Sequence, residues 1–555
     1  MDLTPALPRL ERLYGDAAAR ATLSRIESAA ARHGLPKPDA APASRWSQDD
    51  VVLITYGDQV RQEGMNALEA QRRFLLDGGW DEAVSCVHLL PFYPYTSDDG
   101  FSVVDYRAVG SETGDWDDVR RLAGDFDLMY DLVLNHCSQE NEWFRKCLAG
   151  VEPFTHYFIE ADPSQDLSGV TRPRSLPLLH EFQTAAGAKH FWTTFSRDQV
   201  DLNFAHPDVL VEMLDVLLLY VARGAKILRL DAIAYLWKEI GTNCIHLPQT
   251  HEVVKLMRDV LNAAAPEVIL LTETNVPHAE NVSYLGDGDE AHMVYQFSLA
   301  SLLLDAMLHE DATHLNAWLS SLEAPRPGTT YFNFTASHDG VGVRPLEGLV
   351  PPGRFESLIA KVREGGAAVS MKANPDGTES PYEINATYFD LLGGSLEKFL
   401  SAQRLMLALQ GIPGVYFQSL FAAENWHGGV AETGRARTIN RRKYDRGELD
   451  AWLSDESSDR RVAADAMRRA MAVRRRTPQF HPDTPQRVHA VDPKSVVVVE
   501  RPGGGGSVWS VTNVTGGAVS VSPGFASATD LLSGEAVGGS VEVPAYGTRW
   551  LAVES

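Results

Sequence analysis

Ile227-Leu228-Arg229-Leu230-Asp231-Ala232 reads as a buried strand that carries two opposite charges on one face. Strand side chains alternate, so Arg229 and Asp231 project to the same side while Leu228 and Leu230 point the other way. A guanidinium beside a carboxylate keeps that carboxylate ionised. An ionised Asp at a strand end, orientated by a fixed cation, is what a covalent nucleophile requires.

The runs on either side of this stretch decide how the strand is housed. Val51 to Tyr56, Ala83 to Leu90, Leu128 to Leu134, Ala225 to Leu230 and Val268 to Leu271 are apolar and β-rich. Helical patterns separate them, as at Val209 to Val221 and Glu252 to Ala264. Strands alternating with helices imply βαβ units and a parallel sheet, and so many repeats favour a closed (β/α)8 barrel. The alternative, an open doubly wound sheet, wants a Gly-rich phosphate turn after a strand, and no G-x-G-x-x-G stands in that context.

The chain divides around this barrel. Residues 1–48 read as a helical extension, with Leu10, Leu13, Ala17 and Ala21, then Leu23, Ile26 and Ala30, at spacings of three and four, ended by Pro36-Lys37-Pro38. The barrel is expected over 49–137, 206–340 and 396–482. Residues 138–205, rich in Pro, Ser and aromatics, read as an inserted subdomain after the third strand. Residues 341–395 carry Gly and Pro clusters at Val350 to Gly353 and Asn374 to Gly377, and read as a long loop subdomain with a helix. Loops that long usually serve a binding site. From 483 to 555, Ser495 to Val499, Ser507 to Val511 and Val541 to Val543 alternate with Gly-rich turns, the pattern of a small antiparallel β domain.

Composition narrows the function. A formal net charge of −24 argues against non-specific binding of nucleic acid or anionic membranes, so any anionic ligand needs a local positive site. Cys86, Cys137, Cys147 and Cys244 lack metal-type spacing and read as reduced thiols. Met1-Asp2-Leu3-Thr4-Pro5 has no basic and apolar leader, and no apolar run is long enough to span a bilayer, so cytoplasmic residence is expected.

Carboxylates recur at strand ends. Asp231 ends one run, Glu273 follows Leu270-Leu271-Thr272, and Asp339 follows Thr330 to Phe334 and Ala336-Ser337-His338. In a parallel barrel all three converge on the C-terminal face. Two carboxylates flanking a glycosidic bond suffice for retaining chemistry, one as nucleophile and one as acid then base. Neighbouring carboxylates are expected to raise the Glu273 pKa, and Arg229 to hold that of Asp231 down.

Asp131-Leu-Val-Leu-Asn135-His136, Arg229-Leu-Asp231-Ala232, Glu273 and His338-Asp339 resemble the ordered signatures of the α-amylase superfamily, glycoside hydrolase family 13. The resemblance implies that Asp231 is the nucleophile, Glu273 the general acid/base and Asp339 the transition-state stabiliser. It further implies that Arg229, His136 and His338 hold the glucosyl unit, with Asp58 and Tyr235 closing that subsite.

Within that superfamily, Thr242-Asn243-Cys244, Arg172-Pro173-Arg174, Phe191 to Phe195, Gly411 to Phe417 and Ile439-Asn440-Arg441 resemble the sucrose phosphorylase subfamily, whose members pass the glucosyl unit to phosphate. An anionic acceptor needs cations, preferably arginines that bind two oxygens at once. Arg435, Arg437, Arg441, Arg442, Lys443 and Arg446 stand against Glu432 and Asp445 in one short run, and Arg174 is a second candidate from the inserted subdomain. Thr171 in place of the usual Tyr, Ser175 to Leu179, and Glu383 in place of Gln depart from the sucrose enzymes. With Thr433 to Arg441, they look most like glucosylglycerate phosphorylases, in which Arg435 and Arg437 suit the glycerate carboxylate.

The expected reaction is therefore phosphorolysis of 2-O-α-glucosylglycerate to α-glucose 1-phosphate and glycerate. Glucosylglycerol, sucrose and sucrose 6'-phosphate phosphorylases are the near alternatives, and an α-glucoside hydrolase or transglucosidase the more distant one. A non-catalytic sugar-binding protein of this fold would be expected to lack a carboxylate or carry an anchor. Phosphate is a substrate here, no metal or cofactor is expected, and the chain is read as a monomer or homodimer.

Overall fold

The computed structural model describes residues 2–35, 44–374 and 377–554. At its centre, parallel strands close into a barrel: β1 (Val52–Thr55), β2 (Cys86–Leu89), β3 (Asp127–Leu132), β4 (Ala225–Leu230), β5 (Ile269–Thr272), β6 (Met293–Tyr295), β7 (Thr330–Phe334) and β8 (Ile412–Tyr416). β8 pairs with both β7 and β1, which closes the ring and excludes the open sheet. Each apolar run read from the sequence contains a strand, because stretches that bury both faces are stable in a parallel sheet covered by helices. The helices Pro207–Ala222 and Pro248–Ala264 supply part of that cover, each opening on a proline whose missing N–H has no partner to lose.

The N-terminal extension forms two helices, Leu7–Tyr14 and Asp16–Arg32, broken at Gly15 with φ +76°. The break shifts the start of the second helix off the expected stripe: Ala17 and Ala21 are exposed and Ala19 and Thr22 buried, while Ile26 and Ala30 are buried as expected. This helix packs on Pro207–Ala222, and Tyr14 donates its hydroxyl proton to the Phe204 carbonyl at 2.8 Å. Pro36-Lys37-Pro38 lies outside the described residues.

Between β3 and β4 the chain leaves the barrel. His136–Ser138 pairs antiparallel with the returning Gln199–Asp201, and Leu179–Thr184 forms a hairpin with Gly187–Trp192. After β7 the expectation of a loop with a helix is corrected. The helix Pro352–Glu364 is there, but Val341–Gly342, Ala368–Ala373 and Glu379–Asn385 form a three-stranded antiparallel sheet. Ala368–Ala373 is partly exposed along its length and mixes Ser, Met and Lys, so no alternation marks it. Pro375 and Asp376 of the Asn374 to Gly377 cluster lie outside the described residues. The third strand passes so close to Gly340 that a Cβ there would collide with the Ile384 carbonyl oxygen, which brings Glu383 over Asp339.

A six-stranded antiparallel sheet, from Arg487–His489 to Thr548–Glu554, ends the chain. The four cysteines are buried and unpaired. Among the described residues no helix is long and apolar enough to cross a membrane.

Candidate active site

The C-terminal ends of β4, β5 and β7 open into a cleft lined by Asp231, Glu273 and Asp339. Beneath it lies Arg229, 2% exposed, with its guanidinium 5.7 Å from the ring centroids of both Phe101 and Tyr295. Arg229 Nη1 donates to Asp231 Oδ1 at 2.8 Å and also to Asp131, and Nη2 lies 3.8 Å from Glu273 Oε2. The face shared by Arg229 and Asp231 thus turns into the barrel mouth.

The backbone aims the second carboxylate. Ala232 adopts the left-handed region at φ +50°, which costs a non-glycine residue about 1 kcal/mol. In that conformation its N–H donates to Glu273 Oε2 at 3.0 Å. The barrel ladder continues into the site, with the Glu273 amide on the Leu230 carbonyl at 3.1 Å and the Asp231 amide on that of Leu132 at 3.2 Å.

Asp339 is held from a later part of the chain. Arg441 Nε donates to the His338 carbonyl at 2.9 Å and Asn440 Nδ2 to that of Ser337 at 2.7 Å, pinning the turn that carries it. Arg437 Nη1 sits 2.7 Å from Asp339 Oδ1, while its Nε and Nη2 bind both oxygens of Glu383 at 2.9 and 2.6 Å. Arg174 reaches the same cleft over the Phe195 ring at 5.9 Å, 3.8 Å from Asp98 Oδ2.

These surroundings separate the carboxylates. Burial and the nearby Asp339 raise the Glu273 pKa against the pull of Arg229. Asp231 is also raised, by burial first and then by Glu273 and Asp131, against Arg229. The expectation that Arg229 holds Asp231 low is corrected, because that one cation is shared with Asp131 and Glu273. For Asp339, burial is overcome by Arg437 and then Arg441, which hold its carboxyl far below the usual range. His338, stacked on Phe101 at 4.7 Å, is pushed down to about 3 by burial and is neutral. His136 also lines the cleft, 5.2 Å from the Phe195 ring, which meets Tyr235 edge-on at 5.7 Å.

Residues 82–339 match the family described as alpha amylase, catalytic domain. A glucosylglycerate phosphorylase from Spirochaeta thermophila is 50% identical over 470 residues, covering 82% of this chain and 79% of the relative. The chain belongs to the α-amylase family. A second glucosylglycerate phosphorylase, from Allomeiothermus silvanus, is 45% identical over 519 residues and 92% of each chain. The sucrose 6F-phosphate phosphorylase structure from Thermoanaerobacter thermosaccharolyticum superposes with a TM-score of 0.75 at 24% identity, over 84% of this chain and 94% of that one, and so shares the fold.

In this member of the α-amylase family three expected site residues, Asp58, Arg435 and Arg441, do not line the cleft. Asp58 does not line the cleft. Its carboxylate is taken by Lys443 Nζ and Arg61 Nη2, both at 2.7 Å, in a neighbouring hollow. Arg435 is exposed on the outer side of its turn, because the left-handed Gly434 and the 3₁₀ turn at Ala436–Asn440 send Arg437 inward instead. Arg441 does not line the cleft directly. It binds Asp99 at 2.7 Å and Asp98 at 3.3 Å, and through them the cleft wall. Asp98, Phe101, Gln199 and Tyr382 line the cleft and were missed in the sequence. The signal for Asp98 is Ser97-Asp98-Asp99-Gly100, where two acidic residues in the left-handed region precede Gly100 at φ +111°. Such strain clusters at functional sites.

Proposed function

We propose that this protein is a retaining glucoside phosphorylase acting on 2-O-α-glucosylglycerate. The observation that carries the reading is the presence of Arg174 and Arg437 in the same cleft as three carboxylates. A hydrolase admits neutral water and has no use for paired guanidiniums at the acceptor side. A phosphorylase must bring phosphate, and here also glycerate, past Asp98, Asp231, Glu273, Asp339 and Glu383, which demands local cations.

In this reading Asp231 attacks the anomeric carbon as Glu273 protonates the departing glycerate oxygen, leaving a β-glucosyl ester on Asp231. Asp339, held ionised by Arg437 and Arg441, faces the positive charge that develops at the sugar ring. Phosphate then attacks the same carbon and the bond to Asp231 breaks, giving α-glucose 1-phosphate. The anion needs no base, so Glu273 serves leaving-group departure more than phosphorolysis. Phe101, Phe195 and Tyr235 wall the glucosyl unit, with His136 and His338 on its hydroxyls. Arg174 and Arg437 take the anions.

The test is a product assay over glucosylglycerate, glucosylglycerol, sucrose and sucrose 6'-phosphate, with and without phosphate. Phosphate-dependent release of glucose 1-phosphate, fastest from glucosylglycerate, is expected. Release of free glucose at the same rate in both conditions defeats the reading.

A further inference from the structure

Beside the cleft a buried lysine meets a buried aspartate and an asparagine, none of them among the residues given a role above. Lys238 Nζ lies 2.6 Å from Asp201 Oδ2 and donates to Asn135 Oδ1 at 2.6 Å. The Lys238 side chain is 2% exposed and that of Asp201 fully buried. Asp201 also accepts from the Thr194 amide at 2.8 Å and hydroxyl at 2.6 Å. Three stretches meet here: the end of β3, the strand returning from the inserted segment, and the turn after β4. An ion pair buried this fully is weak evidence for stability, because desolvation offsets most of its attraction.

Its consequence is directional. An ammonium only donates, so Asn135 must turn Oδ1 to Lys238. Asn135 Nδ2 then points to Asp201 Oδ2 at 3.1 Å and to His136 Nδ1 at 3.2 Å. Burial keeps the His136 imidazole neutral, so it carries one proton. With a donor facing Nδ1, that proton belongs on Nε2, which lies 2.9 Å from the Phe101 carbonyl oxygen at the cleft wall. Gln199 Nε2 lies 3.2 Å from the same nitrogen and would favour the opposite tautomer. It has another acceptor in Asp98 Oδ2 at 3.4 Å, whereas Asn135, held by the ammonium, cannot turn.

We infer that Lys238 is a positioning residue that fixes the Nε2–H tautomer of His136 through Asn135, so that Nε2–H anchors on the Phe101 carbonyl and holds the imidazole in place at the glucosyl subsite. The inference rests on His136 belonging to the glucosyl subsite, but the tautomer itself is a property of the resting enzyme.

The experiment is ¹⁵N NMR of histidine-labelled full-length enzyme without ligand, with the His136 signals assigned by His136→Gln, together with donor kinetics. The wild type is expected to show His136 in the Nε2–H form alone. Lys238→Met and Asn135→Ala should each shift it to a mixture or to Nδ1–H, and raise KM for the α-glucoside about tenfold, the worth of one hydrogen bond. An Nδ1–H or mixed signal in the wild type overturns the inference, even if Lys238→Met fails to fold. So does an unchanged Nε2–H form in either variant. Absence of phosphorolysis with every donor, alongside the expected tautomer pattern, would instead refute the proposed function.

Discussion

Arg437 holds Asp339 at 2.7 Å while gripping Glu383 with its other nitrogens, so the cation nearest the acceptor side is fully engaged before any anion arrives. Under the proposed function, phosphate binding is an exchange of partners around a fixed guanidinium. Hydrogen bonds to charged groups contribute about 1.5–3 kcal/mol each. Arg437→Gln is expected to raise KM for phosphate about 10- to 100-fold, whereas Arg435→Ala, on the exposed side of the turn, stays within about twofold. Initial rates over a phosphate series check both.

Removing the nucleophile and removing the acid should look different. Asp231→Ala is expected to abolish glucosyl transfer from every donor. Glu273→Gln should spare transfer from α-glucosyl fluoride, whose leaving group departs unprotonated, and lose it from glucosylglycerate. Equal loss on both donors would contradict the assignment of Glu273.

Two raised carboxyls predict the pH profile. In the proposed reaction, transfer from glucosylglycerate needs Asp231 ionised and Glu273 protonated. Activity therefore falls as pH drops through the raised Asp231 titration, and falls again as pH climbs through that of Glu273. The two apparent values belong to the pair. With glucosyl fluoride as donor the alkaline limb should be missing already in the wild type, and Glu273→Gln should move the acid limb to lower pH, because the carboxylate that raises Asp231 is gone. A kcat/KM profile for this donor reads both effects.

The same raised carboxyl weakens the fold. Folded Glu273 binds its proton more tightly than the unfolded chain does, so its contribution is complete below the ordinary value of 4.5 and is lost as pH rises through the folded value. Glu273→Gln cannot ionise and should be more stable than the wild type at pH 8 by about 1 kcal/mol, the usual scale for relieving active-site strain. The gap should close near pH 4. Thermal unfolding at both pH values tests the sign.

The placement of the two aspartates can be tested side by side. Asp98→Asn, which alters the cleft wall and a partner of both Arg441 and Arg174, is expected to raise KM for the glucosyl donor at least tenfold. Asp58→Asn, in the adjoining hollow, should leave that KM within about threefold. Donor saturation curves at fixed phosphate decide.

The barrel was legible wherever its strands were long and bounded by turns. β4 and β7 match the residues read from the sequence because their apolar runs end on a charged or polar residue at the mouth. β6, only Met293–Tyr295, is too short for any periodicity, and β8 carries Pro413 and Gly414 in mid-strand, which break the strand pattern. The three carboxylates Asp231, Glu273 and Asp339 stood out because each follows its strand within a few residues. Asp98 did not. Its acidic turn is placed in the site by Arg174 and by Arg441, the latter 343 residues later, partners that the turn sequence itself does not report. Asp58, by contrast, sits directly after β1 in the sequence and was read as a site residue, yet Lys443 and Arg61 draw it out of the cleft.

The order of parts along the chain has a consequence for synthesis. The catalytic carboxylates are all translated by Asp339, but the barrel cannot close until β8 pairs with β1, and the arginines that anchor Asp339 come later still. A nascent chain therefore carries its reactive groups well before it has a pocket to use them in. Asp231 has no pocket to act from until nearly the whole barrel has left the ribosome.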